Sequence, residues 1–107
     1  MDNLEKVTLT AEVLSKNEFI ENNQKKLRYK FKITNEGKTI ALLLEIKLYQ
    51  VSKNEKEMIV PIIWSDNYFS IRGENYYEIS AEFSYDTSKE LSLDIVGWNS
   101  ELNKKLN

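Results

Sequence analysis

The 107-residue chain has room for one domain with a single core, burying about 65% of its unfolded surface. Its 41% hydrophobic and 30% charged residues lie far from the composition of disordered chains. A net charge of −2, with 13 Lys and only two Arg (Arg28 and Arg72) against 17 acids, gives no basic footprint for nucleic acid. With no Cys and no His, disulfides, thiolate metal sites and the commonest general base drop out, and no apolar run is long enough for a membrane span.

The first residues, Met1 to Lys6, lack the basic and apolar stretches of a secretory leader, which leaves the compartment open. Val7, Leu9, Ala11 and Val13 then alternate with Thr8, Thr10 and Glu12, the period of a strand with one buried face. Leu27, Tyr29, Phe31 and Ile33 alternate with Arg28, Lys30 and Lys32 and predict the clearest strand of the chain. Asn35-Glu36-Gly37 predicts a short loop in which Gly37 is free to take a positive φ. Ile40, Leu42, Leu44, Ile46 and Leu48 form one face of a third strand. Its other face carries Ala41, Leu43, Glu45, Lys47 and Tyr49, so its first half is covered on both sides.

Ser52 to Lys56 is polar and, with Asn54, predicts a turn. Met58 to Trp64 predicts a shorter strand interrupted at Pro61, which has no N–H for a ladder and so belongs at an edge or bend. Ser65-Asp66-Asn67 and Arg72-Gly73-Glu74 bracket the apolar stretch Tyr68 to Ile71. Tyr77, Ile79, Ala81, Phe83 and Tyr85 alternate with polar residues, as do Leu91, Leu93 and Ile95 after the polar break Asp86 to Lys89. Helical spacing appears in no long segment. The pattern predicts an all-β antiparallel sandwich or barrel over residues 1–99, with a polar C-terminal tail at 100–107, frayed or weakly helical. The expected core is Leu27, Tyr29, Phe31, Ile33, Leu42, Leu44, Ile79, Phe83, Leu93 and Ile95.

Candidate chemistry is sparse. Asp66-Asn67 offers oxygen ligands for calcium or a sugar, but short side chains of this kind more often fix a tight turn, and EF-hand spacing is missing. Trp64 and Trp98 are either sugar-stacking platforms or anchors of core or interdomain packing. Tyr76 and Tyr77 point to opposite faces of one strand, which leaves Tyr76 exposed as a contact for a neighbouring domain. A glycosidase can work with two carboxylates alone, yet the acids here sit on polar strand faces or in turns. Glu45, beside Leu43, is the exception and reads as a strand residue reaching solvent. The three glycines are scattered, so no phosphate loop exists. No catalytic residue, metal site or cofactor is expected.

Beyond pattern, Ile59-Val60-Pro61-Ile62-Ile63-Trp64-Ser65-Asp66-Asn67-Tyr68-Phe69-Ser70-Ile71, Gly73-Glu74 and Val96-Gly97-Trp98-Asn99 carry a resemblance over residues 7–99. They resemble the C-terminal immunoglobulin-like domain of family-2 glycoside hydrolases, in the branch of exo-β-glucosaminidases, β-mannosidases and mannosylglycoprotein endo-β-mannosidases. Asn35, Gly37 and Ala41 fit the same pattern upstream. The chain departs from it at Arg72 (usually Pro), Val60 (usually Leu), and Leu42 and Leu43 (commonly aromatic). The resemblance implies an immunoglobulin-like sandwich of about seven strands. It also implies a non-catalytic accessory role, partners in the other domains of the same glycosidase polypeptide, and a periplasmic or extracellular parent. A free-standing carbohydrate-binding module and an adhesion or assembly module are the alternatives.

Overall fold

The computed structural model describes residues 5–53, 55–59, 62–84 and 89–106, and every regular element among them is a β-strand. In chain order these are β1 (Leu9–Glu21), β2 (Gln24–Asn35), β3 (Ala41–Ser52), β4 (Glu55–Met58), β5 (Ile63–Trp64), β6 (Phe69–Ile71), β7 (Tyr76–Ser84), β8 (Glu90–Val96) and β9 (Glu101–Lys105). One sheet runs β1-β2-β7-β5 and the other β4-β3-β8-β9, with β6 also paired to β3. Every pairing is antiparallel. The result is an immunoglobulin-like sandwich with nine strands among the described residues, where about seven were expected.

Alternation decides what lies between the sheets. Leu27, Tyr29, Phe31 and Ile33 of β2, with Ile79, Ala81 and Phe83 of β7, face Leu44, Ile46 and Leu48 of β3 and Leu91, Leu93 and Ile95 of β8, and all are buried. The Tyr29 ring stacks on Phe31 at 5.2 Å and on Phe83 at 6.1 Å between centroids. The outer face of the first sheet is a charged ladder in which Arg28 meets Glu82 at 3.1 Å and Lys30 meets Glu78 at 3.3 Å. Exposed pairs of this kind contribute little stability and keep the face solvated.

Four expectations are corrected. Residues 101–105 are not a tail but β9, which pairs with β8 from Val96↔Glu101 to Ser92↔Lys105 and packs Leu102 and Leu106 against the core. Their apolar content is low because an edge strand buries only one residue in two. Met58 to Trp64 is not one strand: β4 lies in the second sheet and β5 in the first, while Val60 and Pro61 lie outside the described residues. Tyr85 and Asp86 to Ser88 also lie outside them, as does Asn54.

The third correction concerns β3. Ala41 pairs with Ile71 and Leu44 with Phe69, so three steps on β3 face two on β6, a bulge with Leu43 at φ 52. The extra residue reverses the phase. Ala41 is buried where Leu42 was expected, Leu42 is only half-buried, and Ile40 and Leu43 are exposed. Fourth, no glycine has a positive φ. Gly37 is instead confined by space. The same holds at Gly73, where a Cβ would stand 2.2 Å from the Lys38 carbonyl oxygen, and at Gly97, where it would meet the Leu42 oxygen at 2.7 Å. The left-handed positions are Asn22, Asn23, Leu43, Tyr68 and Glu74, and such backbone costs about 1–2 kcal/mol in a residue with a bulky side chain.

Candidate functional site

The motif residues converge on β3, whose free edge is patched by several short segments rather than one strand. β6 covers Ala41 to Leu44, the Ile59 N–H donates to the Leu48 carbonyl at 2.9 Å, and β4 covers Tyr49 to Ser52. Between them stands Asn67. Its Oδ1 accepts the Ile46 N–H at 2.9 Å and its Nδ2 donates to the Ile46 carbonyl at 3.2 Å, so one side chain replaces a strand residue. A carboxamide does this because it carries a donor and an acceptor in the plane and spacing of a peptide group.

Asn35 and Asn99 repeat the device where β3 begins. Asn35, fully buried, accepts the Gly37 N–H at 2.8 Å and donates to the Thr39 and Ile71 carbonyls at 2.8 and 3.0 Å. Asn99 accepts the Leu42 N–H at 2.9 Å and donates to the Glu5 and Ile40 carbonyls at 3.0 and 2.7 Å. Ser65 performs a smaller version: its Oγ accepts the Ser80 N–H at 2.8 Å, extending the β5–β7 ladder by one rung. Buried backbone groups need partners, and these side chains supply them where the ladders stop.

Asp66 is likewise spent within the chain. Its Oδ1 accepts the Asn67 N–H at 2.8 Å and its Oδ2 accepts the Tyr77 hydroxyl. That hydrogen bond, then partial burial and the Asp66 charge, push the Tyr77 phenol above its ordinary value. Tyr77 stacks on Phe69 at 4.3 Å. Tyr68 donates its hydroxyl to Glu45 at 2.8 Å, and its phenol is raised by the same cause, hydrogen bonding to a carboxylate. Glu74 takes the left-handed position of the Arg72–Asn75 turn, where the Asn75 N–H donates to the Arg72 carbonyl at 3.1 Å and the Glu74 N–H to the Gly37 carbonyl at 2.9 Å. Gly73 lets this turn press on Lys38.

The two tryptophans part company. Trp64 pairs with Ala81 in β5 and lies half-buried against the core. Trp98 sits at the tip of the β8–β9 hairpin and is exposed, bordering an open groove of about 420 Å³ with Lys6, Thr8 and Glu101. Its N–H donates to the Leu42 carbonyl at 3.0 Å, so the exposed ring has an anchored backbone. Tyr76 is exposed on the opposite sheet, with Lys32 Nζ 4.4 Å from its ring centre. Pro61 lies outside the described residues.

The structure thus brings Asn35, Gly37, Ala41, Asp66, Asn67, Tyr68, Gly73, Glu74, Gly97, Trp98 and Asn99 around the first half of β3. Tyr76 is left on the outer face of the other sheet. Sequence reading missed Leu43 and Val96, two exposed apolar residues beside Trp98 and Tyr68. The signal was present: five apolar residues in a row, Ile40 to Leu44, exceed what an alternating strand needs. Among the described residues no group of three or more acids stands where it could hold a metal, and no helix is long and apolar enough to cross a membrane.

Residues 1–100 match the family model described as the exo-β-D-glucosaminidase Ig-fold domain. The chain belongs to that family. This Ig-fold domain is of the type carried by family-2 glycoside hydrolases. It also superposes on solved structures of the exo-chitosanase CsxA from Amycolatopsis orientalis. One has a TM-score of 0.71, and a second, of a variant in complex with PNP-β-D-glucosamine, has 0.72, each at 19% identity. Each match covers 98% of this chain and 12% of that one, so the Ig-fold domain spans about an eighth of those proteins. At that identity the likeness speaks for the fold. No curated protein sequence matches the chain.

Proposed function

We propose that this Ig-fold domain is the non-catalytic accessory domain of an exo-β-glucosaminidase-type family-2 glycoside hydrolase, stabilising the arrangement of the enzyme's other domains. One observation carries the reading: apart from the exposed Glu74, the short polar side chains of the family motif are consumed within the chain. Asn35, Asn67 and Asn99 hold β3, Asp66 is taken by Asn67 and Tyr77, and Ser65 by Ser80. A hydrolytic glycosidase needs two carboxylates free to face one bond, one of them raised in pKa by its surroundings. Of the two motif acids, Asp66 is a hydrogen-bond acceptor in a turn and Glu74 stands exposed in another, and the groups raised beside Asp66 and Glu45 are phenols.

The exposed Trp98 beside its groove favours one second reading, stacking of a sugar ring. A single titration separates the two. The purified chain is mixed with chitosan oligosaccharides and, separately, with PNP-β-D-glucosamine, following tryptophan fluorescence and nitrophenol release. The accessory reading expects neither turnover nor a saturable fluorescence change up to millimolar sugar. Saturation at millimolar or tighter concentration establishes a binding module, and nitrophenol release overturns the non-catalytic assignment.

A further inference from the structure

Ten large hydrophobic residues are exposed among those described, and four of them gather at one end of β3. Leu43 is 48% exposed, Tyr68 67%, Val96 52% and Trp98 61%. Strand pairing and hydrogen bonds bring them together. Val96 pairs with Glu45, Glu45 accepts the Tyr68 hydroxyl, Leu43 N–H donates to Ser70 Oγ at 3.0 Å, and Trp98 N–H donates to Leu42. Two of the four, Leu43 and Tyr68, hold left-handed backbone that bulky side chains avoid. The surrounding structure enforces that conformation. Asn67 Oδ1 accepts the Tyr68 N–H at 2.9 Å as well as bridging Ile46, and Asn99 and Trp98 fix Leu42 from the other side. Strain held in place by the half-buried Asn67 and the buried Asn99, with the strained side chains facing out, marks a surface shaped for contact.

We infer that this patch is the docking face of the Ig-fold domain and that its occupant is another domain of the same polypeptide. This rests on the accessory-domain reading. Size argues for a tethered occupant. The four side chains leave on the order of 400 Å² of surface, whereas a stable complex between separate chains needs about 800 Å² on each partner. A contact of half that size holds when a tether supplies the effective concentration, as between domains of one chain. The CsxA chains are about eight times the length of the match, so domains to serve as neighbours exist in proteins carrying this fold. Charge narrows the chemistry of the occupant. The rim carries Glu45, Asp66 and Glu101 against two cations, Lys6 in the Trp98 groove and Lys47 at 3.9 Å from Glu45. The complementary surface is apolar with basic residues at its border.

Hydroxyl-radical footprinting tests this on the chain alone and within the glycosidase polypeptide that carries it. Trp98 and Tyr68 are expected to lose at least tenfold in oxidation rate on assembly, while Tyr76, on the opposite sheet and equally exposed when alone, changes less than twofold. Protection of Tyr76 with Trp98 and Tyr68 unchanged overturns the docking face but leaves the accessory reading standing. Protection of none of the three overturns both. A variant adds an orthogonal reading. Leu43→Gly relieves the left-handed strain, so the isolated chain should melt a few degrees higher while assembly weakens tenfold or more. Trp98→Ala should weaken assembly similarly without raising the melting midpoint. Assembly unchanged in both variants overturns the proposal.

Discussion

The two ends of the molecule use the same amino acid in opposite ways. At the β3 end, Asn35, Asn67 and Asn99 act through their side chains, each bonding backbone groups distant in sequence. At the other end, β1 and β2 close as a hairpin arm that runs from Phe19 to Lys26. Asn22 and Asn23 close it through their backbones, at φ 52 and 64. Both central residues of a tight hairpin turn need positive φ, and Asn tolerates it better than other residues with a side chain. The arm is local structure: Glu21 faces Gln24, Ile20 faces Lys25 and Phe19 faces Lys26. The β3 end is long-range structure that exists only once the whole sandwich has closed. The first should fray without consequence for the second, and damage to the second should be global.

The largest effect that sharpens this contrast is in the core. Phe31 is fully buried and stacked on Tyr29, whereas Phe19, on the arm, lies half-exposed with the Arg28 guanidinium 5.1 Å from its ring. Phe31→Ala should cost about 3–5 kcal/mol, a large part of a typical total of about 5–15 kcal/mol. Phe19→Ala should cost less than about 1 kcal/mol. Urea unfolding monitored by circular dichroism measures both, and equal shifts in midpoint would dissolve the distinction between body and arm.

The asparagines come next. Asn99→Ala orphans the Leu42 N–H and the Ile40 and Glu5 carbonyls at once, and should cost about 2–4 kcal/mol. Asn23→Gly should do the reverse, raising stability by up to about 1 kcal/mol, because Gly takes a positive φ without steric penalty. A loss on Asn23→Gly would mean that its side chain, and not its backbone, holds the turn.

The same contrast explains what the sequence disclosed. Alternation is local, so Leu27 to Ile33, Ile79 to Phe83 and Leu91 to Ile95 were legible as buried faces from spacing alone. The bulge at Leu43 was not, because period-two reasoning carries the phase of Leu44 back to Leu42, and one extra residue reverses it. β9 was hidden because Glu101 to Lys105 has Leu102 as its one apolar residue. An edge strand that leans on a neighbour needs little hydrophobicity of its own. The Asn22-Asn23 turn was overlooked between two strands read as shorter than they are. Among the motif residues, resemblance pointed to Asn35, Asn67 and Asn99 but not to what each bonds, since partners 21 to 94 residues away leave no trace in spacing. The clustering of Leu43, Tyr68, Val96 and Trp98 is of the same kind: three segments meet only after folding.

The smallest effects separate the two ends by pH, in opposite directions. At the arm, a hydrogen bond from Lys26 and then the Lys26 charge lower the Glu21 carboxyl below its ordinary 4.5. A carboxylate lowered on folding stabilises the native state above the ordinary value, and that contribution fades as pH falls through the folded one. Acid should therefore loosen the arm, seen as faster amide exchange at Asn22 and Asn23, and Lys26→Gln should abolish the step. At the β3 end the Tyr77 phenol is raised above its ordinary 10.0 by its bond to Asp66. A phenol raised on folding stabilises fully below the ordinary value, and the contribution is lost as pH rises through the folded one. Alkali should therefore act on the Asp66–Tyr77 side, with delayed tyrosinate absorbance that Tyr77→Phe removes. Salt discriminates further: the arm's ion pair is exposed and should weaken at about 1 M salt, where the Debye length is about 3 Å, while the neutral phenol's bond persists. An acid step unchanged by salt would show that the Lys26 charge contributes little and that the hydrogen bond alone sets the Glu21 carboxyl.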